Sequence, residues 1–241
     1  SYGASHGIYV GKITEETQFD IEASDIVAGG EIFNEQPRGV DPIVRNIKFN
    51  LIGDQEFKDQ WEPRKTWVII HGWNDDSSGF QELADTLKQA APDDIVLTLD
   101  WREAAGSLLT GSATTWIRPV AEVAAQLLKD WGLTQGKYLN LIGHSLGSLL
   151  SSEIAAQFVY ENGSDAELNQ QNLGADTITA LDPPEDVSRF VWSSYDLDGR
   201  IPGIQSPQHF DQVSRFSRSF VGDQSIAGNK EYSSWADESI I

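Results

Sequence analysis

The middle of the chain alternates short apolar runs with longer amphipathic segments. The apolar runs are rich in Val, Ile and Leu, which is typical of buried strands. The longer segments place apolar residues three and four positions apart, as on one face of a helix. The pattern predicts strands at 66–70, 95–99, 138–142 and 176–181, and helices at 80–90, 119–131 and 148–159. This alternation of strand and helix predicts a parallel sheet with helices on both faces.

The two ends of the chain follow a different pattern. Three short alternating stretches, at 7–10, 17–22 and 43–51, predict antiparallel strands at one edge of the sheet. After residue 184 the pattern is irregular, with further strand signals only at 212–216 and 239–241. A length of 241 residues fits a single domain over residues 1–241.

Composition narrows the classes of partner. With 37 acidic and 17 basic residues, the formal net charge is −20, which argues against nucleic acid and against docking on anionic membranes. Solubility is a sufficient reason for this acidity. The chain has no run of 18 apolar residues, so we expect no transmembrane segment. The absence of cysteine excludes disulfides and thiolate chemistry.

The most informative motif joins the strand at 138–142 to the helix at 148–159 and reads Gly143-His144-Ser145-Leu146-Gly147. A serine at a strand-to-helix turn, with glycines two residues before and after it, is typical of a nucleophile elbow. The turn strains the serine backbone, and a Cβ at either glycine would collide with the neighbouring strand or helix. The helix N-terminus behind the serine would stabilise a developing oxyanion. The motif therefore predicts Ser145 as a nucleophile.

Other polar residues follow the ends of the predicted strands. Ligands bind beyond the carboxyl ends of parallel strands, so His71, Asp100, Ser145 and Asp182 are expected along one edge of the sheet. Asp182 is the candidate acid that would orient a catalytic base, and a turn-capping aspartate is the alternative. Asp223, after the next strand, is its competitor. We expect His71 to be structural and Asp100 to shape the pocket.

The loop His71-Gly72-Trp73 follows the first central strand. In α/β-hydrolases this loop donates one of the two oxyanion-hole N–H groups, and the residue after the nucleophile donates the other. The predicted donors are therefore the backbone N–H groups of Trp73 and Leu146.

Taken together, these motifs resemble the pancreatic-lipase-like family of α/β-hydrolases over about residues 66 to 184. The residues that carry the resemblance are Ile70-His71-Gly72-Trp73, Asp100-Trp101, Arg118, Ala121-Glu122-Val123, Gly143 to Gly147, and Ile178 to Pro183. The resemblance implies an α/β-hydrolase fold and a lipase- or phospholipase-type hydrolysis of carboxylic esters through an acyl-enzyme on Ser145. It places the acid at Asp182, favours secretion and requires no cofactor.

The resemblance also raises the question of calcium, which some lipases of this family bind after the acid. Asp196 and Asp198 lie in an acidic, turn-like stretch of the chain. Calcium takes six to eight oxygen ligands, so two carboxylates do not make a site. The preferred interpretation is a solvated turn, and calcium stays an open alternative without support in the sequence.

The histidine that the family places after the acid has no clear counterpart. The chain has 4 histidines, namely His6, His71, His144 and His209. His209 is the only one after Asp182, but it precedes a predicted strand and is expected at the opposite edge of the sheet. It remains a candidate base if that strand is antiparallel or wrongly assigned. One hypothesis is a chain truncated at its C-terminus. Another is a pseudoenzyme that binds a lipid or other ligand without turnover, and a third is acyl transfer to an acceptor other than water.

Overall fold

A single sheet of nine strands runs through the part of the chain that the structure describes. The computed structural model describes residues 8–13, 26–35, 43–53, 64–106, 113, 116–133, 138–161, 174–184, 209–222 and 233–241. The strands are β1 (Ile8–Ile13), β2 (Ile26–Glu35), β3 (Ile43–Leu51), β4 (Thr66–Ile70), β5 (Ile95–Asp100), β6 (Leu139–His144), β7 (Ala175–Leu181), β8 (Ser214–Phe220) and β9 (Glu238–Ile240). The helices are α1 (Gln81–Ala90), α2 (Arg102–Ala105), α3 (Ile117–Asp130), α4 (Leu146–Glu161) and α5 (Phe210–Val213), with a 3₁₀ turn at Ser77–Phe80.

The strand order places six parallel strands side by side. It is β1-β2-β3-β5-β4-β6-β7-β8-β9, with β1, β2 and β3 antiparallel to their neighbours. The strands from β5 to β9 in this order are all parallel. In register, Ile70 of β4 pairs with Gly143 of β6, which pairs with Ala180 of β7. The carboxyl ends of the six parallel strands therefore lie along one edge, which we call the carboxyl edge.

Helices cover both faces of the sheet. On one face, α3 and α4 pack against β4, β5, β6 and β7 in a large core with Ile70, Leu99 and Leu141 fully buried. On the other face, Ala84 of α1 packs against Ile69 and other residues in a smaller core. Because β4 is covered from both sides, it is apolar along its length rather than alternating.

The end of α3 shows how local sequence fixes an element boundary. The helix ends at Asp130 with Trp131 as its C-cap, and Gly132 follows with a φ of 71° in the left-handed region. The N–H of Gly132 donates to Lys129 O at 2.9 Å, and the N–H of Leu133 donates to Leu128 O at 2.9 Å. This pair of bonds is the Schellman motif, which satisfies the last carbonyls of a helix.

The predicted architecture of the central region is confirmed, and the corrections concern the flanks. β3 has its predicted bounds, whereas the strand β2 was not predicted at all. The strand predicted at 212–216 is partly wrong, because residues 210–213 form the helix α5 and the strand is 214–220. The strand predicted at 17–22 lies outside the described residues.

Candidate functional site

Ser145 occupies the turn between β6 and α4 in a strained conformation. Its φ is 52°, in the left-handed region that residues other than Gly and Asn adopt rarely. Its carbonyl accepts the N–H of Ser148 at 2.9 Å and the hydroxyl of Ser148 at 2.6 Å, which ties the turn to the first turn of the helix. The α4 helix begins at Leu146, so its N-terminal N–H groups lie directly behind the serine.

The two motif glycines are required by close packing at the carboxyl edge. A Cβ on Gly143 would overlap the carbonyl oxygen of Gly147, where β6 passes under the first turn of α4. A Cβ on Gly147 would overlap the carbonyl oxygens of Ile70 and His71, where α4 presses on the end of β4. The collision expected from the sequence is therefore present at both glycines, and the partners are backbone atoms that cannot rotate away.

Asp182 follows the neighbouring strand β7 and is also strained, with a φ of 44°. Its N–H donates to Phe220 O at 2.7 Å, and its carboxylate Oδ1 accepts the N–H of Gly222 at 2.8 Å. The carboxylate is thus held at the carboxyl edge by the end of β8. The predicted turn-capping role and a role as acid remain compatible with this geometry.

Backbone hydrogen bonds connect Ser145 to Asp182. The N–H of Ser145 donates to Leu181 O at 2.9 Å, and Leu181 immediately precedes Asp182. The same kind of backbone hydrogen bond joins the ends of the next two strands, because Val221 N–H, just after β8, donates to Ile240 O of β9 at 2.9 Å. The positions of the serine and the carboxylate are therefore coupled through the sheet itself.

The loop after β4 lies against the serine. A Cβ on Gly72 would stand 2.8 Å from Ser145 Cβ and 3.0 Å from His144 O, so only glycine fits there. Trp73 follows with 41% of its surface exposed at the carboxyl edge. Asn74 has a φ of 52°, and its N–H donates to Ala105 O at 3.3 Å. The sequence indicated the loop but not the contact between Gly72 and the nucleophile.

His71 is structural, as predicted. It is 1% exposed, its Nδ1 lies 2.9 Å from Gly72 O, and its Nε2 accepts the N–H of Trp101 at 3.0 Å. The indole N–H of Trp101 donates back to His71 O at 2.8 Å. With both ring nitrogens engaged and no access to solvent, His71 cannot take a proton from Ser145.

Asp100 was expected to shape the pocket, but it is buried and binds Arg102 instead. It is 2% exposed, and its carboxylate accepts hydrogen bonds from the guanidinium group and from the backbone N–H of Arg102, the latter at 3.0 Å. Arg102 also approaches Asp76, with Nη1 and Oδ2 3.5 Å apart. The Asp76 carboxylate accepts the N–H of Ser78 at 2.7 Å and so caps the 3₁₀ turn. No pattern in the sequence predicts this network, and its only local signal is the acid two residues before an arginine.

Replacing Asp100 with Asn tests the charge in this network. Burial raises the pKa of Asp100, but hydrogen bonds from the side chain and the backbone N–H of Arg102, together with its positive charge, lower it further, so the pKa lies well below its ordinary value. A depressed pKa in the folded state means that the carboxylate stabilises the fold above the unfolded pKa of about 3.9 and that this stabilisation is lost as the pH falls below it. We expect Asp100→Asn to lower the free energy of unfolding by about 1–3 kcal/mol at neutral pH.

Urea unfolding of the wild type and of Asp100→Asn, followed at pH 7 and at about pH 3, measures this effect. The difference between the two proteins should shrink at the lower pH. A difference that is equal at both pH values would contradict the stabilising charge.

Comparison with known proteins identifies the fold family. A sequence profile described as "Alpha/beta hydrolase family" matches residues 67–239, which is most of the chain. The chain belongs to the α/β-hydrolase family. No curated protein matches the sequence. The family assignment agrees with the parallel sheet, the flanking helices and the antiparallel edge strands, and so it confirms the predicted fold class.

Two solved structures illustrate the structural likeness of this α/β-hydrolase. Thermogutta terrifontis esterase 2, solved phosphonylated by sarin, is 13% identical with a TM-score of 0.50, covering 93% of this chain and 85% of the esterase. A predicted CIB-like hydrolase from Thermoplasma acidophilum is 15% identical with a TM-score of 0.49, covering 90% of this chain and 87% of that one. At these identities the likeness concerns the fold alone.

No histidine in the described part of this α/β-hydrolase is placed as a base for Ser145. His209 lies just before α5 and β8, and β8 is parallel to β7, so His209 is at the opposite edge of the sheet, as expected. Its ring stacks on Trp235 with centroids 4.3 Å apart. His144 packs its ring against Phe80 at 5.6 Å, and its Nδ1 is buried without a hydrogen-bond partner. His6 and the competing acid Asp223 lie outside the described residues.

Among the described segments, no group of three or more His, Cys, Asp or Glu residues could hold a metal ion. Asp196 and Asp198 are outside those segments. None of the helices in the described segments has the length and apolarity needed to span a bilayer.

Proposed function

We propose that this α/β-hydrolase cleaves carboxylic esters of lipase type, with Ser145 as the nucleophile. The observation that carries the proposal is the strained serine at the β6–α4 turn, with the N-terminus of a sixteen-residue helix directly behind it. A backbone strain of about 1–3 kcal/mol persists only where surrounding structure enforces it, and it is concentrated at functional sites. Here the glycine contacts described above enforce it.

The reaction follows from the groups at this edge. Ser145 Oγ attacks the acyl carbon and passes its proton to a base, while the carbonyl oxygen becomes an oxyanion held by the N–H groups of Trp73 and Leu146. Collapse of this intermediate expels the alcohol, which takes the proton, and leaves an acyl-enzyme. Water then attacks the acyl carbon in the same way and releases the acid and Ser145. Asp182 orients the base and stabilises its charge.

Apolar surface at the same edge supports esters with an apolar acyl group. Large exposed apolar side chains are found at the ends of β4, β8 and β9, namely Trp73, Phe220, Ile240 and Ile241. Phe220 and Ile240 are register partners on neighbouring strands, and exposed apolar side chains on the same edge as a reactive serine can contact the acyl group of an ester. Lipid esters and other esters with long acyl chains are the substrates that this surface suits.

The test is the hydrolysis of p-nitrophenyl esters of increasing acyl length, with Ser145→Ala as the control. We expect turnover that depends on Ser145 and rises from acetate toward longer chains. No turnover above the control for any ester would reject the proposal.

Changing Asp182 to Asn tests the acid. Loss of the orienting carboxylate is expected to lower kcat on the order of 10³–10⁴-fold, because the base is then held in the wrong tautomer. Asp176→Asn is the matched control, because Asp176 lies at the other end of β7, where it pairs with Arg215. The measurement is the initial rate of p-nitrophenyl ester hydrolysis by each variant, which should fall in Asp182→Asn and stay at the wild-type value in Asp176→Asn. If Asp223→Asn rather than Asp182→Asn removes activity, the acid has been misassigned.

A second candidate is a domain that binds an apolar ester or fatty acid without turnover. It is favoured by one specific observation, the lack of a histidine within the described residues that hydrogen-bonds to Ser145. It predicts saturable binding of a fatty acid, measured by calorimetry, with no release of nitrophenol. The same ester assay therefore separates the two candidates.

A further inference from the structure

The neutral ring of His71 is held in one tautomer. A carbonyl oxygen only accepts hydrogen bonds, so the contact of 2.9 Å between Nδ1 and Gly72 O requires a proton on Nδ1. The backbone N–H of Trp101 donates to Nε2 at 3.0 Å, so Nε2 is unprotonated. Asp100 Oδ1 is farther from Nε2, at 3.5 Å. The shorter contact is the hydrogen bond, and it assigns Nε2 as an acceptor.

The surroundings keep the ring from rotating. Trp101 is fully buried, stacks on the imidazole with centroids 5.9 Å apart, and donates its indole N–H to His71 O at 2.8 Å. Asp100 stands beside the ring and is itself held by Arg102. The Nδ1–H group therefore has a fixed direction, toward the Gly72 carbonyl.

This direction sets the orientation of the next peptide. The Gly72 carbonyl and the Trp73 N–H belong to one planar trans peptide, in which C=O and N–H point in opposite directions. Because Nδ1–H holds the Gly72 oxygen toward the ring, the Trp73 N–H points away from the ring. Gly72 itself lies against Ser145, since a Cβ there would stand 2.8 Å from Ser145 Cβ. Glycine has no side chain to limit rotation of this peptide, so an external hydrogen bond is needed to fix it.

We propose that His71 is a positioning residue that aims the Trp73 N–H at the oxyanion by holding Gly72 O through Nδ1–H. This inference rests on the proposed function. An oxyanion donor contributes to catalysis only if it is fixed before the charge develops. His71 then acts on the rate of acylation through Trp73, without touching the substrate.

Two amide substitutions separate the two ring nitrogens. In His71→Asn the side-chain nitrogen can replace Nδ1 as the donor to Gly72 O. In His71→Gln the longer side chain places its amide oxygen near the position that Nε2 has in the wild type, where it can accept the Trp101 N–H, and the donor to Gly72 O is lost. We expect His71→Gln to lower kcat on the order of 100-fold with KM unchanged, and His71→Asn to remain within about threefold of the wild type. His209→Asn and His209→Gln, at the opposite edge, are the matched controls and should leave both parameters unchanged.

The pattern of the two variants decides the proposal. A kcat for His71→Gln equal to that of the wild type would overturn it. Equal losses in His71→Asn and His71→Gln would also overturn it, because they would indicate a general disturbance rather than a lost donor.

A second readout does not depend on activity. Long-range ¹⁵N–¹H NMR of the imidazole of the wild-type protein should show His71 protonated at Nδ1 and unprotonated at Nε2. The amide resonance of Trp73 should shift in His71→Gln and remain in place in His71→Asn. A ring protonated at Nε2, or an unshifted Trp73 amide in His71→Gln, overturns the proposal. If the wild type hydrolyses no ester, the proposed function fails while these spectra still decide the role of His71.

Discussion

Replacing Ser145 with Ala is expected to abolish ester hydrolysis, with a fall in kcat on the order of 10⁶-fold. The reason is that Oγ forms the acyl-enzyme, so no other group at the carboxyl edge can substitute for it. The fold should be preserved, because Ala has the same Cβ and the Ser148 contacts are made to the backbone carbonyl of residue 145. Initial rates with p-nitrophenyl esters and the free energy of unfolding in urea are the two measurements.

Ser145→Gly completes this experiment. Glycine adopts a φ of 52° without steric cost, so it releases a strain of about 1–3 kcal/mol, against an entropic cost of about 0.5–1 kcal/mol. We expect Ser145→Gly to be inactive but more stable than Ser145→Ala by about 1 kcal/mol. Turnover close to the wild-type rate in either variant would exclude Ser145 as the nucleophile, and equal stability of the two would exclude stored strain at the turn.

Gly147→Ala is expected to lower both the stability and the activity of the protein. The added methyl group would overlap the carbonyl oxygens of Ile70 and His71, which are backbone atoms at the end of β4 and in the loop that follows it. Either α4 shifts away from β4 or the strand end distorts, at a cost of about 3 kcal/mol or more. A displacement of Ser145 by about 1 Å should also lower kcat by about 100-fold. Urea unfolding and ester hydrolysis measure the two effects.

Gly132→Ala is the matched control for this substitution. Gly132 has a φ of 71° at the end of α3, but a Cβ there would have no atom within 4 Å. Its replacement should therefore cost only the strain of the left-handed conformation, about 1 kcal/mol, and leave kcat unchanged. If Gly147→Ala were no more harmful than Gly132→Ala, close packing between α4 and β4 would not be what fixes the turn.

The central region could be predicted because its signals are local. Strand β4 is apolar on both faces and has its predicted bounds, residues 66–70. Helix α3 repeats apolar residues at helical spacing and ends at a glycine in the left-handed conformation, so its end was predicted within one residue. In both cases burial and backbone preference point to the same structure over a short stretch of sequence.

Strands β2 and β8 could not be predicted in the same way. Strand β8 has serines on its buried face, with Ser217 and Ser219 both fully buried, so its sequence lacks the apolar alternation that indicates a strand. Ser217 is satisfied by Asp237, which is twenty residues away in the sequence. Such a strand is stabilised by distant hydrogen bonds, which no local pattern reveals.

The residues of the candidate site could be predicted from the sequence, whereas the hydrogen bonds that hold them in place could not. Glycine spacing around Ser145 follows from the steric needs of a tight turn, and the structure shows the expected overlaps. The hydrogen bond between His71 and Trp101 joins residues thirty positions apart in the sequence. The hydrogen bond between His71 and Gly72 O depends on which ring nitrogen carries the proton. Sequence indicates that His71 is structural, whereas only the coordinates show which backbone groups it holds.

The most direct test of the account is to treat the full chain with a fluorophosphonate and to locate the adduct by peptide mass spectrometry. A serine activated as a nucleophile attacks phosphorus, expels fluoride and keeps a stable phosphonyl group. A nucleophilic Ser145 should give one adduct, on the peptide that contains Ser145, and none in Ser145→Ala. An unmodified Ser145, or an adduct on another serine with Ser145 free, would contradict it.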